Sequence, residues 1–150
     1  MLDNKANIII NHRENKTLIP DLKHNMPLDI DEAYVVQESL VNSLNLNPIG
    51  WKVGCTTKMA QNFSGMTEPF SGVMFKETTY ISPNLEISDY MYKPIIEPEL
   101  CFEIKEDIVD NGELYNKINI EKYIESIFPV IEIVDARYQK AWDIKAIETI

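Results

Sequence analysis

The chain has 150 residues, which suits one domain with a hydrophobic core of its own. Its formal net charge of -10 argues against a nucleic-acid backbone as partner, because phosphate binding needs a basic patch. The N-terminus lacks a signal-peptide pattern, and no apolar stretch approaches the length of a membrane span. We therefore expect a cytoplasmic protein that binds neither nucleic acid nor membrane.

The N-terminal third of the chain is predicted to be helical. A short helix is expected over residues 5–15, followed by a loop rich in turn formers. Asp29 followed by Glu32 has the form of a capping box, so a second helix should begin there and run to Asn45. Its apolar positions keep helical spacing at Ala33, Val36, Leu40 and Leu44.

The stretch Ile49 to Cys55 is predicted to be a strand with an unusual face. Gly50, Lys52 and Gly54 alternate along it, so all three lie on the same side. Glycines on both sides of a lysine leave open space over it, which is typical of close approach by a ligand or another backbone. Two other interpretations of Lys52 stay open: an exposed strand lysine and an ion-pair partner for a glutamate.

Alternating short elements are expected along the rest of the chain. Thr56 or Thr57 should cap a short helix that runs through Phe63 and is ended by Gly65. Strands are predicted over 73–75, 95–104 and 128–134, and helices over 120–127 and 142–150.

Two glutamates in the strand 95–104 are the first candidates for chemistry. Glu97 and Glu99 are two residues apart, so both side chains point to the same face. The opposite face is apolar, and the pattern by itself favours a half-buried strand with a solvated glutamate face over a metal site.

Glu132 is harder to explain as a surface residue. It interrupts an apolar run, Phe-Pro-Val-Ile-Glu-Ile-Val, which has the composition of a buried strand. A carboxylate there is costly unless it is paired, protonated or bound to a cation. A salt bridge with Lys52 or Arg137 is one solution. If Glu97, Glu99 and Glu132 came together, they would form a site for a hard divalent ion.

Other catalytic classes have little support. Cys55 and Cys101 lack zinc-type spacing, so we interpret both as reduced, buried thiols. His12 and His24 lie in the polar N-terminal segment and are interpreted as surface histidines. No phosphate loop and no nucleophile–base motif is present in the sequence.

Four ordered motifs resemble the 2-keto-4-pentenoate hydratase family. They are Gly50-Trp-Lys-Val-Gly-Cys-Thr-Thr-Lys58, Glu68-Pro-Phe-Ser-Gly-Val-Met-Phe75, Glu97-Pro-Glu99 and Pro129-Val-Ile-Glu-Ile-Val-Asp-Ala-Arg137. This family includes 4-oxalocrotonate decarboxylases and lies in the fumarylacetoacetate hydrolase-like superfamily. The resemblance implies an α+β fold, with N-terminal helices over 1–48 and the first part of a mixed β-roll over 49–150, together forming one domain.

The same resemblance implies the roles of individual residues. Glu97, Glu99 and Glu132 would be ligands of Mg²⁺ or Mn²⁺, and Lys52 would be the catalytic residue beside the metal. Leu100 and Phe75, the latter in the loop that begins at Glu68, would help to bind the substrate.

The implied activity is hydration of 2-hydroxypenta-2,4-dienoate-type substrates to 4-hydroxy-2-oxo acids by a homo-oligomer. The alternatives are a decarboxylase of the 4-oxalocrotonate type and a catalytically silent subunit that works by assembly with a related hydratase or decarboxylase. Hydrolysis of a C–C bond, as elsewhere in the superfamily, is less suitable because it usually needs a histidine base.

The chain departs from the family pattern in two respects. Many members have an aspartate where this chain has Phe70, which leaves the substrate open. Members also continue well beyond the position of Ile150, so the resemblance predicts a β-roll that is incomplete at the C-terminus.

Overall fold

The structure is a computed structural model that describes residues 2–20, 27, 29–81, 86, 91–112 and 114–140. These residues fall into two compact units, one within Met1–Tyr92 and Ala136–Ile150 and the other within Lys93–Asp135. The predicted helix over 142–150 and His24 lie outside the described residues. The predicted domain division at residue 48 stays a prediction.

Two helices form the N-terminal part of the first unit, as the sequence predicts. Helix α1 spans Leu2–Glu14 and helix α2 spans Ile30–Ser43. The side chain of Asp29 accepts a hydrogen bond from the Glu32 N–H at 2.9 Å, which confirms the predicted start of α2. Small and branched apolar residues are buried on these helices, namely Ala6, Ala33 and Val36.

A two-stranded antiparallel sheet follows α2. Strand β1, Pro48–Gly54, pairs with strand β2, Phe70–Phe75. Helix α2 is fixed to β2 at Ser71, whose N–H donates to the Tyr34 hydroxyl at 2.9 Å. The carbonyl of the same serine accepts from Gln37 Nε2 at 3.0 Å. The two bonds pair the Ser71 N–H and carbonyl, main-chain groups of β2 that are not bonded to β1.

The ends of this sheet are tied together by a polar contact. Asn47, just before β1, donates its main-chain N–H and its side-chain amide to the carboxylate of Glu77, just after β2. These two bonds, with the Asn47 side chain contributing most, lower the pKa of Glu77 below its ordinary value. The contact joins the two strand ends across 30 residues of sequence.

Helix α3, Lys58–Ser64, lies between β1 and β2 and confirms the predicted caps. The structure selects Thr57 over Thr56, because the Thr57 hydroxyl accepts from the Ala60 N–H at 3.1 Å. Gly65 ends the helix with φ +73°, a left-handed conformation that favours glycine. Gln61 is buried on this helix and donates to the carbonyl of Cys55 at 2.8 Å.

The second unit is built on a longer antiparallel pair. Strand β3 spans Ile95–Ile104, as predicted, and strand β4 spans Ile124–Val134. The predicted helix over 120–127 is wrong. Helix α4 covers only Lys117–Ile120, a 3₁₀ turn covers Glu121–Tyr123, and the chain is extended from Ile124 onward. Pairing with β3 decides the conformation of this stretch, because strand preference depends on the partner more than on the local sequence.

Both long strands contain a proline. Pro98 is opposite Ile131, and Pro129 is opposite Leu100. A proline has no N–H to give to a neighbouring strand, so it occupies positions whose nitrogen faces away from the partner. The pair that contains Pro98 and the pair that contains Pro129 are two positions apart in the register. Hydrogen-bonded and non-hydrogen-bonded pairs alternate, so both prolines meet this requirement.

The fold class is confirmed at the level of α+β, with helices and small antiparallel sheets. The buried apolar residues that the structure describes all belong to the first unit; besides those of α1 and α2 they are Ile19, Phe75, Ala136 and Tyr138. No helix in the described part of the chain has the length and apolar character needed to cross a bilayer.

Candidate functional site

The three glutamates of the sequence prediction lie on one face of the β3–β4 pair. Glu97 is directly opposite Glu132 in the register, and Glu99 follows two residues later on β3. Side chains that are directly opposite in an antiparallel pair share a face, and so do residues i and i+2. One ligand atom from each of the three residues lies within 4.8 Å of the others.

Three carboxylates this close together repel one another. Like charges placed directly opposite each other destabilise a sheet. Glu97 is exposed and Glu132 is half-buried, so water screens the pair only in part. A divalent cation would offset the repulsion, and carboxylate oxygens are the donors that Mg²⁺ and Mn²⁺ prefer.

The rest of the same face is mixed in character. The register places five residues there that are not carboxylates or hydroxyls: Ile95, Cys101, Phe128, Val130 and Val134. Glu103 is also on this face, but its carboxylate accepts a hydrogen bond from the Ser126 hydroxyl at 2.6 Å. A purely solvated glutamate face would be polar along its whole length, whereas here three carboxylates cluster among apolar side chains.

The opposite face of the pair is apolar over residues 96–102 of β3 and 127–133 of β4, and Leu100 belongs to it. The register places eight such residues there: Ile96, Pro98, Leu100, Phe102, Ile127, Pro129, Ile131 and Ile133. The Leu100 side chain is 65% exposed and points away from the glutamate face. Its main-chain groups face the outer edge of β3, because it is paired with Pro129, which has no donor. Its part in substrate binding stays a prediction.

Lys52 lies on β1 in the first unit and is exposed. The open space predicted around it is confirmed at Gly50, where a Cβ would have no neighbour within 4 Å. At Gly54 the prediction is wrong, because the ring of Phe70 covers that position, with two ring carbons 3.0 Å from the place of a Cβ. The catalytic role of Lys52 stays a prediction.

Phe75, the predicted substrate-binding residue of this sheet, is only 7% exposed and belongs to the core of the first unit. It also lies on the opposite face of the sheet from Lys52, because Lys52 is paired with Gly72. The residues of β2 on the face of Lys52 are Phe70 and Met74. The sequence alone does not predict Phe70 as a neighbour of Lys52, because this depends on the pairing of Lys52 with Gly72 across the two strands.

The remaining polar candidates have local roles. Cys55 and Cys101 are free thiols, as predicted, but half-buried rather than buried. Cys55 Sγ lies 3.3 Å from Ser64 Oγ, a contact between β1 and α3. His12 Nδ1 lies 2.8 Å from Thr17 Oγ1 at the end of α1, which fits a histidine that caps a local turn.

Comparison with curated proteins identifies relatives, although no protein-family model matches the chain. A 2-hydroxypent-2,4-dienoate hydratase of Pseudomonas putida is 26% identical over 141 residues, which cover 91% of this chain and 62% of that protein. The TodF product hydratase of Pseudomonas putida F1 is 30% identical over 127 residues, which cover 81% of this chain and 46% of that protein. A 2-keto-4-pentenoate hydratase of Paraburkholderia xenovorans is 24% identical, and the match covers 88% of this chain and 49% of that protein. The chain thus spans about half the length of these relatives.

Solved structures show a similar fold. A 4-oxalocrotonate decarboxylase from Pseudomonas putida G7, complexed with magnesium and adipate, superposes with a TM-score of 0.85 at 20% identity. The match covers 99% of this chain and 57% of that one. A second structure of the decarboxylase, with calcium and acetate, gives a TM-score of 0.83. The predicted resemblance is confirmed by both kinds of comparison.

Proposed function

Because this chain is a relative of the 2-keto-4-pentenoate hydratases, we propose that it belongs to a metal-dependent lyase that acts on short unsaturated 2-oxo acids. The reaction is hydration of a 2-hydroxypenta-2,4-dienoate-type substrate to a 4-hydroxy-2-oxo acid. The observation that carries the proposal is the cluster of Glu97, Glu99 and Glu132, whose ligand atoms lie within 4.8 Å of one another. Relatives named as hydratases support the choice of reaction.

The three glutamates would hold Mg²⁺ or Mn²⁺. Their donor set consists of carboxylate oxygens alone, which suits hard divalent ions and not the thiolate or imidazole sites of zinc. Three protein ligands would leave room on the ion for oxygen atoms of the substrate or of water. When bound, the ion would act as a Lewis acid toward the carboxylate and 2-oxo oxygens of the substrate.

Side chains of the protein itself would transfer the proton. Hydration begins with tautomerisation, in which a proton leaves the enol oxygen and another is added at the far end of the conjugated chain. Water then adds across the remaining double bond. We assign the first transfer to Lys52 Nζ, because an amine on an exposed, glycine-flanked strand can reach a ligand and exchange a proton. Leu100 would contribute main-chain groups at the edge of β3 rather than its side chain.

The architecture proposed for the protein is the mixed β-roll of the fumarylacetoacetate hydrolase-like superfamily. The two β-pairs would be its first part and the N-terminal helices over 1–48 its adjoining segment. The fold similarity to the decarboxylase over 99% of this chain supports the assignment. Assembly as a homo-oligomer, or with a related hydratase or decarboxylase, and a cytoplasmic location are further predictions of the same proposal.

Decarboxylation is the second candidate reaction. It is favoured by the likeness in fold to 4-oxalocrotonate decarboxylase. The two reactions differ in their products. Release of carbon dioxide from 4-oxalocrotonate without consumption of 2-hydroxypenta-2,4-dienoate would select the decarboxylase.

The test uses the loss of ultraviolet absorbance as the conjugated substrate is consumed. The protein, in a form that extends through the full coding sequence, is mixed with 2-hydroxypenta-2,4-dienoate or 4-oxalocrotonate in the presence of Mg²⁺. We expect turnover that EDTA abolishes and that Glu132→Gln reduces at least a hundredfold. Glu103→Gln, on the same face but outside the cluster, is the matched control and should retain activity.

Absence of turnover with both substrates would reject the lyase. If calorimetry also showed no affinity for Mg²⁺ or Mn²⁺, the catalytically silent assembly subunit would become the better description. Metal binding without turnover would also reject the lyase but would leave the ion site in place.

A further inference from the structure

Asp135 joins β4 to β3 just beyond the last residue pair of the two strands. The last pair is Ile95 with Val134, and this end of the β3–β4 pair, away from the connecting segment 105–123, is its open end. The carboxylate of the half-buried Asp135 accepts a hydrogen bond from the Lys93 N–H at 2.7 Å. A bond from an N–H to a carboxylate is charge-assisted and roughly twice as strong as one between neutral groups. The Asp135 side chain thus holds the strands together where main-chain pairing has ended.

The three glutamates of the candidate metal site lie near the open end. Two residue pairs separate Glu97 and Glu132 from it, whereas on their other side the pairing continues as far as Ile104 with Ile124. The ends of secondary-structure elements open more readily than their interiors. Opening at this end would move Glu132 away from Glu97 and Glu99, because the ligand set combines two residues of β3 with one of β4.

The affinity of such a site depends on how firmly its ligands are held. The ligand atoms of the three glutamates lie within 4.8 Å of one another when the strands are paired. A site that is assembled for only part of the time binds its ligand more weakly, in proportion to that fraction. Residues behind the ligands that orient them commonly change metal affinity by about 10–100-fold.

The other end of the strand pair provides a comparison. There the Ser126 hydroxyl donates to the Glu103 carboxylate at 2.6 Å, but these two residues are already opposite each other within the ladder. Beyond them the Lys105 N–H donates to the Tyr123 carbonyl at 3.0 Å, which continues the main-chain bonding. Loss of the Ser126 hydroxyl would therefore leave the strands joined at that end.

We propose that Asp135 is a positioning residue for the metal site: its bond to the Lys93 N–H keeps the open end of the β3–β4 pair closed and thereby holds Glu132 close to the two glutamates of β3. The inference rests on the proposed function, since it takes the three glutamates to bind Mg²⁺ or Mn²⁺. It goes further by assigning part of the metal affinity to a residue that acts through the strands and not as a ligand.

Two other roles of Asp135 give different results. If its negative charge attracted the cation from a distance, Asp135→Asn would lose as much affinity as Asp135→Ala. If its hydrogen bond only stabilised the fold, Asp135→Ala would lower the free energy of unfolding in EDTA, but the Kd of the folded protein for Mg²⁺ would not change. Measurements of metal affinity on both variants therefore separate the three roles.

The experiment measures the Kd for Mg²⁺ by calorimetry on the same full-coding-sequence form of the protein. We expect Asp135→Ala to bind Mg²⁺ at least about fivefold more weakly than the wild type. Asp135→Asn retains an oxygen that can accept the Lys93 N–H, so it should recover most of the lost affinity. Ser126→Ala is the matched control and should bind Mg²⁺ as the wild type does.

Hydrogen exchange of the wild type is the second measurement, and it needs no variant. Coupling between two sites is reciprocal, so a bond that favours metal binding is itself favoured by the metal. Mg²⁺ should therefore slow the exchange of the Lys93 amide relative to exchange in EDTA. The Lys105 amide, bonded at the other end of the pair, should slow less.

The outcomes distinguish the inference from the function on which it rests. If the wild type does not bind Mg²⁺, the proposed metal site is overturned and the inference with it. If the wild type binds but Asp135→Ala has the same Kd, or Asp135→Asn or Ser126→Ala loses as much affinity as Asp135→Ala, the inference alone is overturned. If Asp135→Ala does not fold, the exchange data decide: equal slowing of Lys93 and Lys105, or none at Lys93, contradicts the assignment.

Discussion

Glu97 and Glu132 are directly opposite each other across the β3–β4 pair, so two carboxylates share one face of a sheet with a third, Glu99, beside them. Like charges placed directly opposite each other in a sheet repel, and a bound cation offsets that repulsion. This relationship makes the site testable through stability as well as through activity.

Glu132→Gln should weaken the stabilisation of the protein by metal. The free energies of unfolding of the wild type and the variant in EDTA are the reference values. Mg²⁺ at a hundred times its Kd should stabilise the wild type by about 2.7 kcal/mol, and the variant much less. Urea denaturation with and without MgCl₂ measures both effects.

Glu103→Gln is the control for this experiment, since Glu103 lies on the same face of β3 and is bonded to Ser126 outside the cluster. It should respond to Mg²⁺ as the wild type does. Equal stabilisation of wild type and Glu132→Gln by Mg²⁺ would show that the cluster does not bind the ion.

The attachment of α2 to β2 depends on two side chains that meet at Ser71. Tyr34→Phe removes the hydroxyl that accepts the Ser71 N–H, so we expect a loss of about 1 kcal/mol in the free energy of unfolding. The Ser71 amide should also exchange its hydrogen faster. Tyr80→Phe, at an exposed tyrosine, should change neither quantity, and an unchanged Ser71 exchange rate in Tyr34→Phe would contradict the assignment.

The N-terminus of α3 should be sensitive to Thr57 and not to Thr56. Thr57→Ala removes the oxygen that accepts the Ala60 N–H, and we expect a cost of about 1 kcal/mol in denaturation experiments. Thr57→Ser keeps the oxygen and should restore most of the loss. Thr56→Ala is the matched control, and its free energy of unfolding should stay within about 0.5 kcal/mol of that of the wild type. A larger loss for Thr56→Ala than for Thr57→Ala would contradict the assignment of the cap to Thr57.

The contact between Asn47 and Glu77 predicts a pH dependence. Because the folded protein lowers the pKa of Glu77, this carboxylate contributes stability above the ordinary glutamate pKa. That contribution is lost as pH falls through the lowered pKa of the folded state. Carboxyl NMR titration should show the lowered value directly. Asn47→Ala should raise it toward the ordinary range, whereas Asn62→Ala, on the exposed side of α3, should not.

Local signals were sufficient to predict much of this structure. Asp29, Thr57 and Gly65 act within a few residues of sequence, and the elements that they bound appear where the sequence places them. The strand Ile95–Ile104 is also predictable, because the alternation of its residues and its long run of apolar residues both indicate a strand. The clustering of the glutamates followed from strand periodicity together with family resemblance.

The sequence-based predictions fail where pairing with another strand determines the local structure. Ile124 to Ile127 has no strong local preference, and it becomes extended because β3 offers it a pairing surface as far as Ile104. Similarly, the space over Gly54 is filled by Phe70 from the opposite strand, which no inspection of β1 alone could reveal. The position of Phe70 beside Lys52 likewise depends on a cross-strand register that the sequence does not specify.

The prolines of β3 and β4 have a consequence for how the protein avoids self-association. Among the residues that the structure describes, β3 and β4 pair only with each other, and long strands with unpaired outer edges are a template on which further chains can add as in an amyloid fibril. Pro98 and Pro129 interrupt the donor row at the middle of each outer edge. An incoming strand must leave a carbonyl unmatched at that point, which disfavours uncontrolled growth from either edge.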